Sequence, residues 1–142
     1  MEKEKLNEIL LKDGDTSFIL YLEQDIIFGI IPELMACKEC ENKNPAYISG
    51  SVWDHIVRAV SEAPKDLKIR MTMLLHDIGK PACIVDNALG IRHFHGHAAI
   101  SGIIAEYILR RLGYYDNFIR EVCKLIRWHS VRFAGEDDAV KE

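Results

Sequence analysis

Long apolar runs are missing from this 142-residue chain. Its early run from Ile26 to Ile31 is far shorter than the roughly 20 residues a membrane helix needs, and Pro32 follows it. A basic excess is missing too. Lys and Arg number 18 against 22 Asp and Glu, giving a net charge of -4. That balance argues against a strongly basic nucleic-acid footprint and leaves local patches open. Cysteines are few: Cys37, Cys40, Cys83 and Cys123. Only Cys37 and Cys40 are close, and no second CxxC or CxxH completes a zinc knuckle. No βαβ context surrounds them for thioredoxin-like chemistry, so they read as reduced bystander thiols. Repeats and low-complexity segments are absent. The opening Met1-Glu2-Lys3-Glu4-Lys5 is too charged for a signal peptide, and the expectation is a soluble, cytoplasmic protein.

What is present is an ordinary globular balance, 49% hydrophobic and 28% charged, in a length suited to one domain. Apolar spacing is helical nearly throughout. Helices are expected over residues 3–12 and 16–28, with a short one opening at Pro32-Glu33-Leu34. Residues 38–50 read as a polar loop. Ser51 caps a helix over 52–63, and another runs over 65–78 to a stop at Gly79 and Pro81. Residues 82–95 turn β-like, with a possible small hairpin. Helices over 96–112 and 116–130 follow, then a frayed tail over 131–142. The expected fold is all-α: one domain over 1–142, about six or seven helices, with a loop or hairpin insert near 82–95. N-terminal helices occupy 1–50 and the helices of the candidate site 51–130.

The histidines carry the chemistry. His55, His76, His97 and His129 lie on four different helices, each toward the apolar side. Four unpaired imidazoles in one small core would need many polar partners, and each unmet group costs ~1–3 kcal/mol. One metal centre satisfies them together, and neutral imidazole is the commonest protein metal ligand. Asp77 follows His76 directly. On a continuing helix the two side chains diverge by about 100°, which lets the carboxylate bridge to a second ion. The plainer reading pairs Asp77 with Arg70. Lys80 is expected at the rim, holding a phosphate oxygen or simply solvated at a helix end. Arg58 has the same two readings, its plainer one an i,i+4 pair with Asp54. His93 and His95 either line the mouth of the site or are exposed.

His55 together with His76-Asp77-Ile78-Gly79-Lys80 resembles the signature of the HD superfamily of metal-dependent phosphohydrolases. His97 in Phe94-His95-Gly96-His97 and His129 in Arg127-Trp128-His129-Ser130 are similar to the added histidines of its multi-histidine members. A narrower likeness, through Ile31-Pro32-Glu33-Leu34, Val52-Trp53-Asp54-His55, Leu74 to Pro81 and His93 to His97, is to the HD region of bacterial tRNA nucleotidyltransferases and poly(A)-polymerase-like proteins. It spans about residues 5 to 130. The nucleotidyltransferase head with its paired carboxylates is missing, so CCA addition is not expected. A last aspartate from a later helix is also missing: Ser130 stands near its place, with Asp137 or Asp138 as candidates to complete the set.

The resemblance implies an HD-like helical bundle and hydrolysis of a phosphomonoester or phosphodiester, with a nucleotide or related phosphate ester as substrate. His55, His76, Asp77, His97 and His129 would hold one or two divalent ions, among iron, manganese, cobalt, nickel, zinc or magnesium. Asp77 and Lys80 would be catalytic; Lys80, Arg58 and His95 would meet substrate. The rival is a non-catalytic helical module that binds RNA or a partner chain. Arg110-Arg111 and Arg120, Lys124, Arg127 supply some basic helix surface for it, although charged runs on helices usually are solvated faces. No membrane partner is expected.

Overall fold

The computed structural model describes residues 1–41 and 50–133, with side chains to residue 128. Most of the expected 38–50 loop and of the 131–142 tail, Asp137 and Asp138 included, lies outside the described residues.

Eight α-helices and one two-stranded hairpin make up the described chain. They are α1 Glu2–Leu10, α2 Thr16–Leu22, α3 Gln24–Ile30, α4 Glu33–Lys38, α5 Val52–Glu62, α6 Leu67–Leu75, α7 His97–Leu112 and α8 Asp116–Phe133. A 3-10 turn, Lys80–Cys83, leads into β1 Ile84–Asp86, which pairs antiparallel with β2 Arg92–Phe94. The expected helix over 16–28 is two helices. Glu23 sits at φ -100 ψ 11, outside helical values, and serves as C-cap of α2 and N-cap of α3. The break re-aims the chain so that Ile27, Ile30 and Ile31 are buried. None of the helices is long and apolar enough to cross a membrane among the described residues.

Caps set the helix starts that matter for the site. Ser51 Oγ accepts the Asp54 N–H at 3.1 Å while Asp54 Oδ2 accepts the Ser51 N–H at 3.0 Å, closing a capping box on α5. Asp66 accepts the Ile69 N–H at 3.0 Å and starts α6. Gly113, at φ +91, ends α7 in the left-handed region, where an L side chain is strained. This turn folds α8 back along α7.

The core runs through α1, α5, α6, α7 and α8, with Leu6, Leu10, Trp53, Ile56, Leu74, Leu75, Ile108 and Val122 buried. Full burial of each such Leu or Ile is worth roughly 1.5–3 kcal/mol. Trp53 fills the α3–α5 contact edge-on to Phe28, with ring centres 4.9 Å apart. Its indole N–H donates to Gln24 Oε1 at 3.0 Å, which satisfies the buried polar end. Arg70 is also buried. Its guanidinium donates to the carbonyls of Leu10 at 2.7 Å and Pro64 at 3.1 Å, tying α1 to the α5–α6 connection. Its bonds are therefore to backbone, and the pairing with Asp77 does not occur.

Candidate metal centre

α6 stops at Leu75, three residues before the expected end. Residues 76–79 form tight turns instead, in which the Ile78 N–H reaches Leu75 O at 3.2 Å and the Lys80 N–H reaches Asp77 O at 3.0 Å. The helix expected to continue to residue 78 therefore ends before Asp77, although His76 itself keeps helical angles, φ -65 ψ -25. His76 Nε2 lies 3.0 Å from Asp77 Oδ2.

Three elements converge on that carboxylate. From the first turns of α5, His55 Nε2 reaches Asp77 Oδ2 at 3.0 Å. From the start of α7, His97 Nε2 reaches Asp77 Oδ1 at 3.3 Å. Lys80 Nζ lies 3.3 Å from Oδ2. Asp77 and His76 are buried, and His55 is the most open member with its side chain 29% exposed. Lys80 is not at the rim as expected. It is buried at 8% exposure, with its ammonium over the Phe94 ring, 5.0 Å from the ring centre.

Backbone carbonyls orient two of the imidazoles. His76 Nδ1 lies 2.6 Å from Met73 O, and His97 Nδ1 lies 2.9 Å from Phe94 O. A carbonyl only accepts, so each Nδ1 donates a proton there, and each Nε2 is left turned to Asp77. Metal-ligating histidines are held in this way, by a second hydrogen bond on the far nitrogen.

Electrostatics follow from the crowding. Burial pushes the Asp77 carboxyl up, but the charge of His76, then that of Lys80, and hydrogen bonds from His55 and His76 hold it well below the usual range. Burial pushes the His97 imidazole down, yet the hydrogen bond and charge of Asp77 leave it raised.

The donor set fits a divalent ion. Ligand atoms of His55, His76 and Asp77 all lie within 4.8 Å of one another. An ion bonded at about 2.0–2.2 Å spans at most about 4.4 Å between ligands, so small side-chain rotations close the set. His97 faces the other carboxylate oxygen, which puts Asp77 between the His55–His76 pair and His97.

The other sequence candidates are placed as follows. His129 lies on α8, and its side chain is outside the described residues. Arg58 is exposed on α5, where its charge acts on Asp54 and Tyr21. His95 is exposed, its ring stacked on His93 with centres 5.7 Å apart. Strand alternation sets His93 on the face of β2 opposite Phe94, the ring that meets Lys80. Cys37 is buried with Sγ 4.0 Å from Ile78 O, and burial pushes its thiol up to about 12, as befits an inert thiol.

One contributor was not singled out from sequence. Ser101 Oγ, fully buried, accepts the Gly79 N–H at 2.8 Å. Gly79 is pressed so close that a Cβ there would stand 2.7 Å from the Ser101 N. α7 thus delivers His97 and, one turn later, the brace for the turn that carries Asp77. The available signal was the i,i+4 spacing of His97 and Ser101 on one face.

Comparison with known proteins agrees with this geometry. The HD domain family profile matches residues 49–141. The A-adding tRNA nucleotidyltransferase of Deinococcus radiodurans is 32% identical over 92 residues, 61% of this chain and 21% of that relative. The CC-adding tRNA nucleotidyltransferase of Thermus thermophilus is 29% identical over 148 aligned positions, 98% of this chain and 33% of that relative. The chain therefore spans a third or less of these curated relatives. No solved structure matches. A profile match over well above half the chain, on the segment that brings His55, His76, Asp77 and His97 together, makes this protein a member of the HD domain family, within a metal-dependent phosphohydrolase superfamily.

Proposed function

We propose that this protein is a metal-dependent phosphohydrolase acting on a phosphomonoester or phosphodiester of a nucleotide or related compound. The observation that carries the reading is the buried Asp77 carboxylate met by three imidazole Nε2 atoms and one ammonium, all within 3.3 Å. His55, His76, Asp77 and His97 hold one or two divalent ions in this reading, with His129 as a further ligand. A bound divalent ion supplies Lewis acidity and makes water reactive near neutral pH. Asp77 supplies the site's carboxylate and orients the attacking water. Met73 O and Phe94 O keep the imidazoles of His76 and His97 in the ligating tautomer. Lys80, at the edge of the carboxylate, turns its ammonium toward phosphate charge as it develops. Arg58 and His95, both exposed, meet the outer part of the substrate.

A second reading has one observation behind it: both relatives are named tRNA nucleotidyltransferases, so the domain serves as a helical module in binding RNA or a partner chain. Metal analysis with a phosphate-release assay separates the two. The hydrolase reading expects turnover of generic esters or 2′,3′-cyclic nucleotides with at least one of manganese, iron, cobalt, nickel, zinc or magnesium. Asp77→Asn then abolishes it. Lys80→Ala retains metal and loses roughly 100- to 1,000-fold in rate, the usual effect of removing one transition-state charge contact. A fully metallated protein inert across the panel sinks the hydrolase.

A further inference from the structure

α8 carries a cationic face separate from the metal centre. Arg120, Lys124 and Arg127 follow one another at steps of four and three, forming one stripe about 10 Å long. Trp128, one turn after Lys124, borders the stripe with 53% of its surface exposed. On a chain of net charge -4 such a stripe would ordinarily be cancelled by its neighbours. Here the neighbouring carboxylates are engaged elsewhere. Glu121 is bonded by the Lys68 ammonium of α6. Glu106 and Asp116 both bond the Arg110 guanidinium, at 3.1 and 2.9 Å. Arg120 bonds the neutral Asn117 side chain at 3.1 Å. Among the described residues, no carboxylate lies within ion-pairing distance of Arg120, Lys124 or Arg127. Arg120 and Arg127 also line a groove between α7 and α8 that they share with Arg110 and its two carboxylate partners, Glu106 and Asp116, and Arg127 lies along Gly102, where a Cβ would meet its Nε at 3.1 Å.

We propose that this face binds single-stranded nucleic acid, with Arg120, Lys124 and Arg127 tracking successive phosphates and Trp128 stacking on one base. Exposed cations following one another along a helix face, with an aromatic ring at its edge, are the elements of sequence-tolerant single-strand binding. A membrane is the weaker match, because Asn117 and Glu121 flank the stripe with polar rather than apolar side chains. An acidic peptide meets the charge but offers no ring to stack. The proposal rests on the RNA-binding reading above and gives it a surface; it uses none of the residues around Asp77, so its failure leaves the phosphohydrolase reading standing.

The test is titration of the full chain with a twelve-residue oligouridylate, followed by tryptophan fluorescence. Trp53 is 1% exposed and packed on Phe28, so quenching reports Trp128. Saturable quenching is expected. Three neutralised phosphates give a log–log salt slope of about -2, or roughly 20-fold weaker binding between 50 and 200 mM salt. The triple variant Arg120→Gln, Lys124→Gln, Arg127→Gln should lose more than tenfold in affinity, with its slope near zero. Should it misfold, Lys124→Gln alone should shrink the slope by about 0.7. Trp128→Leu should remove the signal and weaken binding of a labelled strand. Polyglutamate should not quench. The proposal is overturned by no binding at 50 mM salt, by unchanged binding in the charge variants, or by equal quenching with polyglutamate.

Discussion

Gly79→Ala should loosen the metal centre without touching a ligand. Gly79 sits at φ -85 ψ -8, a conformation open to alanine, so the backbone itself raises no objection. Alanine even gains about 0.4–1 kcal/mol by restricting the unfolded chain. The objection is steric. The added Cβ would stand 2.7 Å from the Ser101 N, 2.9 Å from Ser101 Oγ and 3.0 Å from Ile100 Cγ2. Ser101 Oγ and the Ile100 side chain can rotate, the former at the cost of the 2.8 Å bond it accepts from Gly79. The Ser101 N cannot. To reach ordinary contact at 3.4 Å, α7 must retreat by about 0.7 Å. Ala105, Ile108 and Leu109 anchor α7 in the core, so retreat unloads packing. Overpacking of this kind costs about 1–3 kcal/mol, and the lost hydrogen bond about 1 more. Against the backbone gain, the net loss is about 1–3 kcal/mol, a fall in Tm of roughly 3–10 °C for a domain of this size. His97 rides on α7, so metal affinity falls as well. Thermal denaturation with and without metal, and metal titration, check both effects. Ser101→Ala in the Gly79→Ala background should not restore stability, because the blocking atom is backbone. A Gly79→Ala protein as stable as wild type with unchanged metal affinity would refute the reasoning.

Two further outcomes follow from the same contacts. Metal bound only to the folded state adds about 2.7 kcal/mol at a hundredfold excess over Kd, so chelation should lower Tm and readdition restore it. His55→Ala should mimic chelation and make Tm insensitive to it; a mutant with the full metal response would remove His55 from the ligand set. At the surface, hydrogen bonds from Arg111 hold the Glu33 carboxyl below its usual range. A lowered carboxyl contributes stability above its unfolded pKa and loses it as pH falls through its folded value. Glu33→Gln should therefore cost up to about 1 kcal/mol near neutral pH and nothing once the carboxyl is protonated, as read from denaturant unfolding at several pH values. An equal cost at acid pH would contradict the pairing.

Much of the fold is local and so was legible in the residues. Ser51 and Gly113 mark helix ends by capping chemistry that needs no tertiary partner, and both stand where the periodicity placed them. The hairpin within 82–95 and the apolar stripes of α5, α7 and α8 were equally readable. So was the family, through His55 and the contiguous run from His76 to Lys80. What the tertiary structure decided is direction. The early end of α6 and the kink at Glu23 depend on how each segment meets the packed core, which helix periodicity does not encode. The convergence of His76 and Asp77 therefore appears only after folding, as does the withdrawal of Lys80 beneath Phe94. Arg70 shows the same division: its charge suggested a carboxylate, but a buried guanidinium bonds whatever acceptors surround it, and those are carbonyls from α1 and the α5–α6 connection. Sequence names the donors and acceptors, while long-range packing, through contacts as distant in the chain as Gly79 and Ser101, decides which of them meet.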